Sequence, residues 1–228
     1  MLRNRKSMST NLSKGIIYYT DNQLDPEIAG KVQNQLNTIG LPIVSCSLAP
    51  MPNFGKNIHL PLERGYPAMF KQILAALEAS DVDIIFFCEH DVLYHPSHFD
   101  FVPPAKDKFY YNQNCWRVRM PDGFAVRWDT NINSCLCAYR DILMKYYQNK
   151  VDLVEKTGKI SSGFGVEPGG RDNSLSGTWR SLSPNVDIRH GHNLTRDVWN
   201  IDDLRKSYAA KNFEIGGCPE WAKTILEI

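Results

Sequence analysis

Through the first ninety residues, uninterrupted apolar runs of strand length alternate with apolar residues at helical spacing. GIIYYT (15–20) is rich in β-formers and ends in Thr20, Asp21 and Asn22. Asp25 then stands as an N-cap ahead of Pro26. Ile28, Val32, Leu36 and Ile39 follow at helical spacing, which predicts a helix that Gly40 stops. LPIVSCS (41–47) predicts a second strand, so the chain opens with a β-α-β unit. A Pro- and Gly-bearing loop (49–67) is long enough for its length alone to suggest a functional role. Phe70, Ile73, Leu74 and Leu77 share one face of a helix predicted from about Pro67 to Ser80. VDIIFFC (82–88) has no polar alternation after Asp83 and suits a central strand covered on both faces.

The pattern then changes. FYYNQN (109–114), CWRVRM (115–120) and FAVRW (124–128) are short, aromatic and β-rich, the last two split by a Pro-Asp-Gly turn. A helix is predicted from about Tyr139 to Lys156, with Gly158 near its end. Residues 161–185 are rich in Gly and Ser and look like an active-site loop or lid. NVDIRH (185–190) predicts a last strand, and 201–228 a helical tail. Parallel α/β followed by mixed β predicts a Rossmann-like, nucleotide-binding half with a central, mostly parallel sheet (15–100), joined to a mixed-β acceptor half (101–200). Residues 1–14 are basic and Ser-rich without the apolar core of a secretory signal, and are expected to be a flexible leader to a single domain, 15–228.

Composition narrows this picture only a little. The 228 residues fit one domain with a sizeable core, and 43% hydrophobic with 22% charged residues is usual for a soluble protein. A net charge of +1 gives no global electrostatic case for nucleic acid, leaving only a local basic face. No apolar run approaches the roughly 18–20 residues that span a bilayer. The six cysteines form no CxxC pair and several lie in apolar runs, so buried reduced thiols in a cytoplasmic protein are expected.

The candidate chemistry begins where the third strand surfaces, at Glu89-His90-Asp91. In open α/β sheets ligands bind beyond the carboxyl ends of the strands. Carboxylates there suit a hard divalent ion, Mn²⁺ or Mg²⁺, bridging to a diphosphate. Zinc held by Cys88, His90, His95 and His98 is a rival reading with poor ligand spacing, and a plain polar strand end is another. His190 and His192, in VDIRHGHNLT (186–195), are placed to complete an octahedral site begun by Asp91. They also read as a surface pair in a polar loop. Glu167 and Asp172, in SSGFGVEPGGRDN (161–173), fit a general base on a mobile loop, or simply a connecting loop. Arg64 and Lys71 frame the second helix and could neutralise phosphate; solvated surface charge is the alternative. CWRVRMPDGFAVRW places Trp116, Arg127 and Trp128 where sugars or bases could stack, although a hairpin burying its tryptophans fits as well.

Taken in order, these elements resemble a small glycosyltransferase of the GT-A fold, akin to the family-2-like group. The resemblance covers roughly 15–195. It rests on GIIYYT followed by Asp21 and Asn22, on ERGYPAMFKQILAALEASDVDIIFFCEHD, and on the later acidic loop and histidines. It implies transfer of a hexose or pentose from a nucleotide-diphosphate sugar to a hydroxyl acceptor, helped by Mn²⁺ or Mg²⁺. Thr20, Asp21, Asn22, Arg64, Lys71, Glu89 and His90 would bind the nucleotide sugar. Asp91 with His190 or His192 would hold the metal, and Glu167 or Asp172 would be the base if the reaction inverts. The motif reads Glu-His-Asp here and not Asp-x-Asp, and Val166-Glu167-Pro168 stands where the family usually has a Glu-Asp pair. Acceptors open to such an enzyme are a glycan, a small molecule or a modified nucleic-acid base such as a hydroxymethylated DNA base. A nucleotidyltransferase or nucleotide-sugar hydrolase shares the same metal–diphosphate residues, and a non-catalytic binding module shares the fold.

Overall fold

The computed structural model describes residues 12–120, 122–158, 167–169, 174–189 and 199–228. β1 (Lys14–Thr20) lies in the middle of a seven-stranded sheet, with β2 (Ile43–Ser47) and β4 (Ile84–Glu89) parallel on either side. Beyond β2 lies β3 (Lys56–His59). Beyond β4 come β9 (Leu136–Tyr139), β6 (Phe109–Asn112) and β10 (Ser176–Trp179). Only the pairs that β9 makes are antiparallel, so the sheet is mostly parallel as expected.

The continuous apolar runs have a simple cause. In β1, Ile16 and Tyr18 enter one core while Ile17 and Tyr19 enter the other; in β4, Phe86 and Cys88 divide from Ile85 and Phe87 in the same way. The second of these cores packs under α2 (Tyr66–Glu78) and α3 (Arg140–Thr157), and the first under α1 (Pro26–Asn37) and a second sheet. The predicted cap of α1 forms, since the Asp25 carboxylate accepts from the amides of Glu27 and Ile28 at 2.8 and 3.4 Å. All six cysteines are buried and free. Among the described residues no helix is long and apolar enough to cross a membrane.

The second sheet has five strands in the order β12 (Glu214–Gly217), β8 (Phe124–Arg127), β7 (Cys115–Arg119), β11 (Asn185–Arg189) and β5 (Val92–Leu93). Three of them continue strands of the first sheet across short connections: β4 runs on into β5, β6 into β7, and β10 into β11. Glu89, His90 and Asp91 occupy the first of these crossings.

Several elements differ from the sequence reading. β3 lies within the loop expected over 49–67. It is an edge strand with two of its four residues exposed, so it carries no apolar run. β10 occupies part of the stretch read as a lid, and β9 leads straight into α3 with no intervening turn to mark it. The tail expected to be helical contains α4 (Ile201–Tyr208), the exposed strand β12 and α5 (Glu220–Leu226). Its four β12 residues gain their place by pairing with β8, which local pattern does not encode.

Candidate active site

A cavity of about 530 Å³ opens where the two sheets meet. One wall comes from the first sheet: Thr20 and Asp21 at the end of β1, Glu89 at the end of β4, His90 and Asp91 in the turn beyond it, and Arg64 just before α2. The facing wall comes from the second sheet and α4, with Arg117, Trp128, Asp187, Arg189 and Tyr208 among its residues. Glu167 lines the cavity as well.

The first wall is tightly cross-bonded. The Tyr19 hydroxyl donates to the Glu89 carboxylate, and the Glu89 amide donates to the Tyr94 hydroxyl at 2.9 Å. Thr20 Oγ1 and His90 Nδ1 share a 2.6 Å hydrogen bond, with an Asp21 oxygen 3.6 Å from the same ring nitrogen. Arg64 pairs with Asp21. Gln72, buried on α2, donates to the carbonyls of Thr20 and Cys46 at 2.8 and 3.2 Å and so holds the end of β1 in place. Asn22 takes a left-handed conformation (φ 59°), which asparagine tolerates, and its side chain accepts from the Ala49 amide at 2.8 Å.

Three carboxylates are drawn together by topology. β11 pairs with β5 so that Asp187 lies opposite Val92, and the Ile188 amide donates to the Asp91 carbonyl at 2.7 Å. Burial raises the Glu89 carboxyl to about 8, with the charges of Asp91, Asp187 and Glu167 adding to the rise and the Tyr19 hydrogen bond opposing it. Burial also raises Asp187; Asp91 adds to that rise, while Arg189 and Arg117 oppose it. Glu167 is steadied by its neighbour, because the Tyr111 hydroxyl donates to the Pro168 carbonyl.

Of the residues the sequence nominated, Thr20, Asp21, Arg64, Glu89, His90, Asp91, Glu167 and Trp128 line this cavity. Asn22 shapes the turn beside it. Lys71 does not reach it and pairs with Glu155 at 2.9 Å. Arg127 pairs with Glu214, and its guanidinium lies 5.7 Å from the Trp116 ring centroid. Against that ring stands Gly216, where a Cβ would come within 2.9 Å of it. Trp116 and Arg127 are therefore packing residues of the second sheet. Trp128 lines the cavity without being open for stacking: Arg117 lies 3.8 Å from its centroid and Tyr208 stacks at 4.3 Å, and two such neighbours require its two faces. Asp172, His190 and His192 lie outside the described residues.

The zinc alternative fails on geometry. Cys88 is fully buried in the core beneath the sheet. His98 is fully buried too; its Nδ1 faces the amides of Asn112 and Asn185 at 3.0 Å each, and burial lowers its pKa to about 3. His95 caps the turn Pro96–His98. Sequence reasoning missed Asp187, Arg189 and Tyr208 as cavity residues. The available signal was Asp187 and Arg189 two apart in a strand, alternating with Val186 and Ile188, hence on one face of it.

The solved structure of the glycosyltransferase GlyE from Streptococcus pneumoniae matches 94% of this chain and 62% of its own, at a TM-score of 0.51 and 9% identity. The chain therefore spans about three-fifths of GlyE. This is a GT-A-type glycosyltransferase fold. Two further glycosyltransferases are similar at 9% identity. One, involved in glycosylating the major capsid of PBCV-1, covers 77% of this chain and 93% of its own at a TM-score of 0.48. The other, a Drosophila β1,4-galactosyltransferase 7 in complex with manganese, UDP-Gal and xylobiose, covers 85% and 79% at 0.43. No family model and no curated sequence matches the chain.

Among the described residues no three His, Cys, Asp or Glu side chains are gathered into a metal site. The donor set still fits a hard divalent cation. Glu89 and Asp91 offer carboxylate oxygens, the donor type such an ion takes.

Proposed function

We propose that the protein is a divalent-metal-dependent glycosyltransferase that moves a sugar from a nucleotide-diphosphate donor to a hydroxyl acceptor. The observation that carries this reading is the Glu89–Asp91 turn. It sets carboxylates at the crossing between two sheets, beside the start of a helix, in a cavity large enough for a nucleotide sugar. Asp91, supported by Glu89, would hold Mn²⁺ or Mg²⁺. Bound there, the ion supplies positive charge to the departing diphosphate as the glycosidic bond breaks.

The chain's own groups divide the remaining work. α2 begins at the cavity with no side-chain cap, so first-turn amides and the positive end of its dipole are available to phosphate oxygens. Arg64 stands beside them. Thr20 and Asp21, at the end of β1, would hold the nucleoside. Glu167, which lines the cavity, would take the proton from the acceptor hydroxyl as it attacks, with Asp172 the alternative base on the same loop. A cytoplasmic location and a soluble acceptor complete the proposal.

The test is a thermal-shift panel of UDP, GDP, ADP and CMP and their sugars, with and without Mn²⁺. Stabilisation by one diphosphate only when metal is present supports the reading, and no response to any nucleotide sinks it. Donor turnover that rises sharply with an acceptor separates a transferase from a nucleotide-sugar hydrolase.

A further inference from the structure

The two walls of the cavity carry opposite charge. The first-sheet wall, with Asp21, Glu89 and Asp91 against Arg64, is acidic. On the facing wall, the charged lining residues among those described are Arg117 and Arg189 of the second sheet, Lys211 just after α4, and one carboxylate, Asp187. Resting on the transferase reading, we infer that the acceptor carries an anionic group, a phosphate or a carboxylate, received on this second wall by Arg117 and Lys211.

Arg117 is built for such a role. Its guanidinium carbon lies 3.8 Å from the Trp128 ring centroid, and Tyr208 stacks on that ring at 4.3 Å. This three-layer stack fixes the cation without neutralising it. Among the described residues its carboxylate partner is Asp187, 3.9 Å from its Nε, which Arg189 also contacts at 3.3 Å. Arg117 Nη1 is buried and has no hydrogen-bond partner among the described residues. A buried guanidinium N–H left unmade is costly, and a purely structural arginine would be expected to satisfy it. Turning in its own plane on the indole face, the guanidinium can present that N–H to a bidentate anion. Lys211, at the same wall, is exposed, with its ammonium 5.6 Å from the Tyr208 centroid and no carboxylate partner among the described residues.

The donor diphosphate is not the natural owner of these charges. It has the α2 terminus, Arg64 and the metal carboxylates on the opposite wall. Trp128, with both faces covered, serves as the support of the anion seat and not as a platform for the acceptor ring.

The experiment uses the full chain saturated with Mn²⁺ and whichever nucleoside diphosphate stabilises it. Glucose 6-phosphate, methyl glucuronoside and methyl glucoside are titrated at low salt. The phosphate or the uronate should bind at least tenfold more tightly than the neutral glucoside, and whichever binds names the anion. Lys211→Ala, an exposed and fold-neutral change, and Arg117→Met should each weaken that binding at least fivefold. Neither should move the melting shift given by the nucleoside diphosphate. Equal binding of charged and neutral probes overturns the inference. Loss of the nucleotide shift in the two variants also overturns it, by assigning the cations to the donor. A wild-type protein that answers to no nucleotide fails earlier, at the transferase reading on which this one rests.

Discussion

On one side of the cavity, Thr20, Asp21 and Glu89 leave two adjacent parallel strands whose positions are set by apolar packing on both faces. On the other, Arg117, Trp128 and Asp187 come from three short strands or their ends, whose inner faces share the first core and whose order is set by pairing between distant segments. The joint between the two sheets shows the difference. Asn112 belongs to β6 of the first sheet and Asn185 to β11 of the second, and both amides point at the buried ring of His98. The Asn112 amide also donates to Ser181 Oγ at 2.8 Å, and the Asn114 amide to the Ser181 carbonyl at 2.9 Å. Both sheets share an apolar core, but the joint adds buried hydrogen bonds that each depend on their partner being present.

The sharpest way to break this contrast is at Asp91. Asp91→Ala should fold and melt normally, since it removes a buried carboxylate crowded by others, yet sugar transfer should fall by about a thousandfold or more. Turnover assays with Mn²⁺ titration check this, and near-normal transfer would detach the first wall from the chemistry. Next in size is the core behind that wall. Phe87 is fully buried between β4 and the helices, and Phe87→Ala should cost about 3–5 kcal/mol by urea denaturation.

A smaller effect probes the joint. His98 is neutral in the folded protein with its pKa lowered to about 3 by burial, against an ordinary 6.5. Its stability contribution is complete above about pH 6.5. As pH falls towards 3, the unfolded chain takes up a proton that the folded chain refuses. Stability is then lost at up to about 1.4 kcal/mol per pH unit. Subtracting the stability–pH curve of His98→Gln from that of the wild type isolates this slope, and a flat difference would deny the ring its buried neutral role. The smallest effect is at Lys71, whose exposed pair with Glu155 is the kind worth little. Lys71→Ala should change stability by about 0.5 kcal/mol or less and leave nucleotide binding alone. A lost nucleotide shift there would return Lys71 to the donor site.

The first wall was largely legible because its causes are local. The apolar runs 15–20 and 82–88 could only be strands covered on both faces, and polar residues ending such runs must surface together where parallel strands end. Thr20, Asp21, Glu89, His90 and Asp91 follow from that alone. Trp116 and Arg127 were misplaced for the opposite reason. Alternation along a strand says which residues share a face, and says nothing of what covers it. Here Gly216, from a strand that pairs with β8 across eighty-odd residues of chain, closes over Trp116.

By itself, the sequence determined that the chain would build a mostly parallel sheet and gather carboxylates at its carboxyl end, because strand periodicity and burial act over a few residues. Only the tertiary structure decided that Asp187 would join them, that Trp128 would be covered on both faces, and that Arg117 and Lys211 would line the same cavity as Asp91. Those placements depend on β10 running on into β11 and on the second sheet docking against the first. Pairings between strands far apart in sequence are fixed by the free energy of the whole assembled core, which no short window of residues contains.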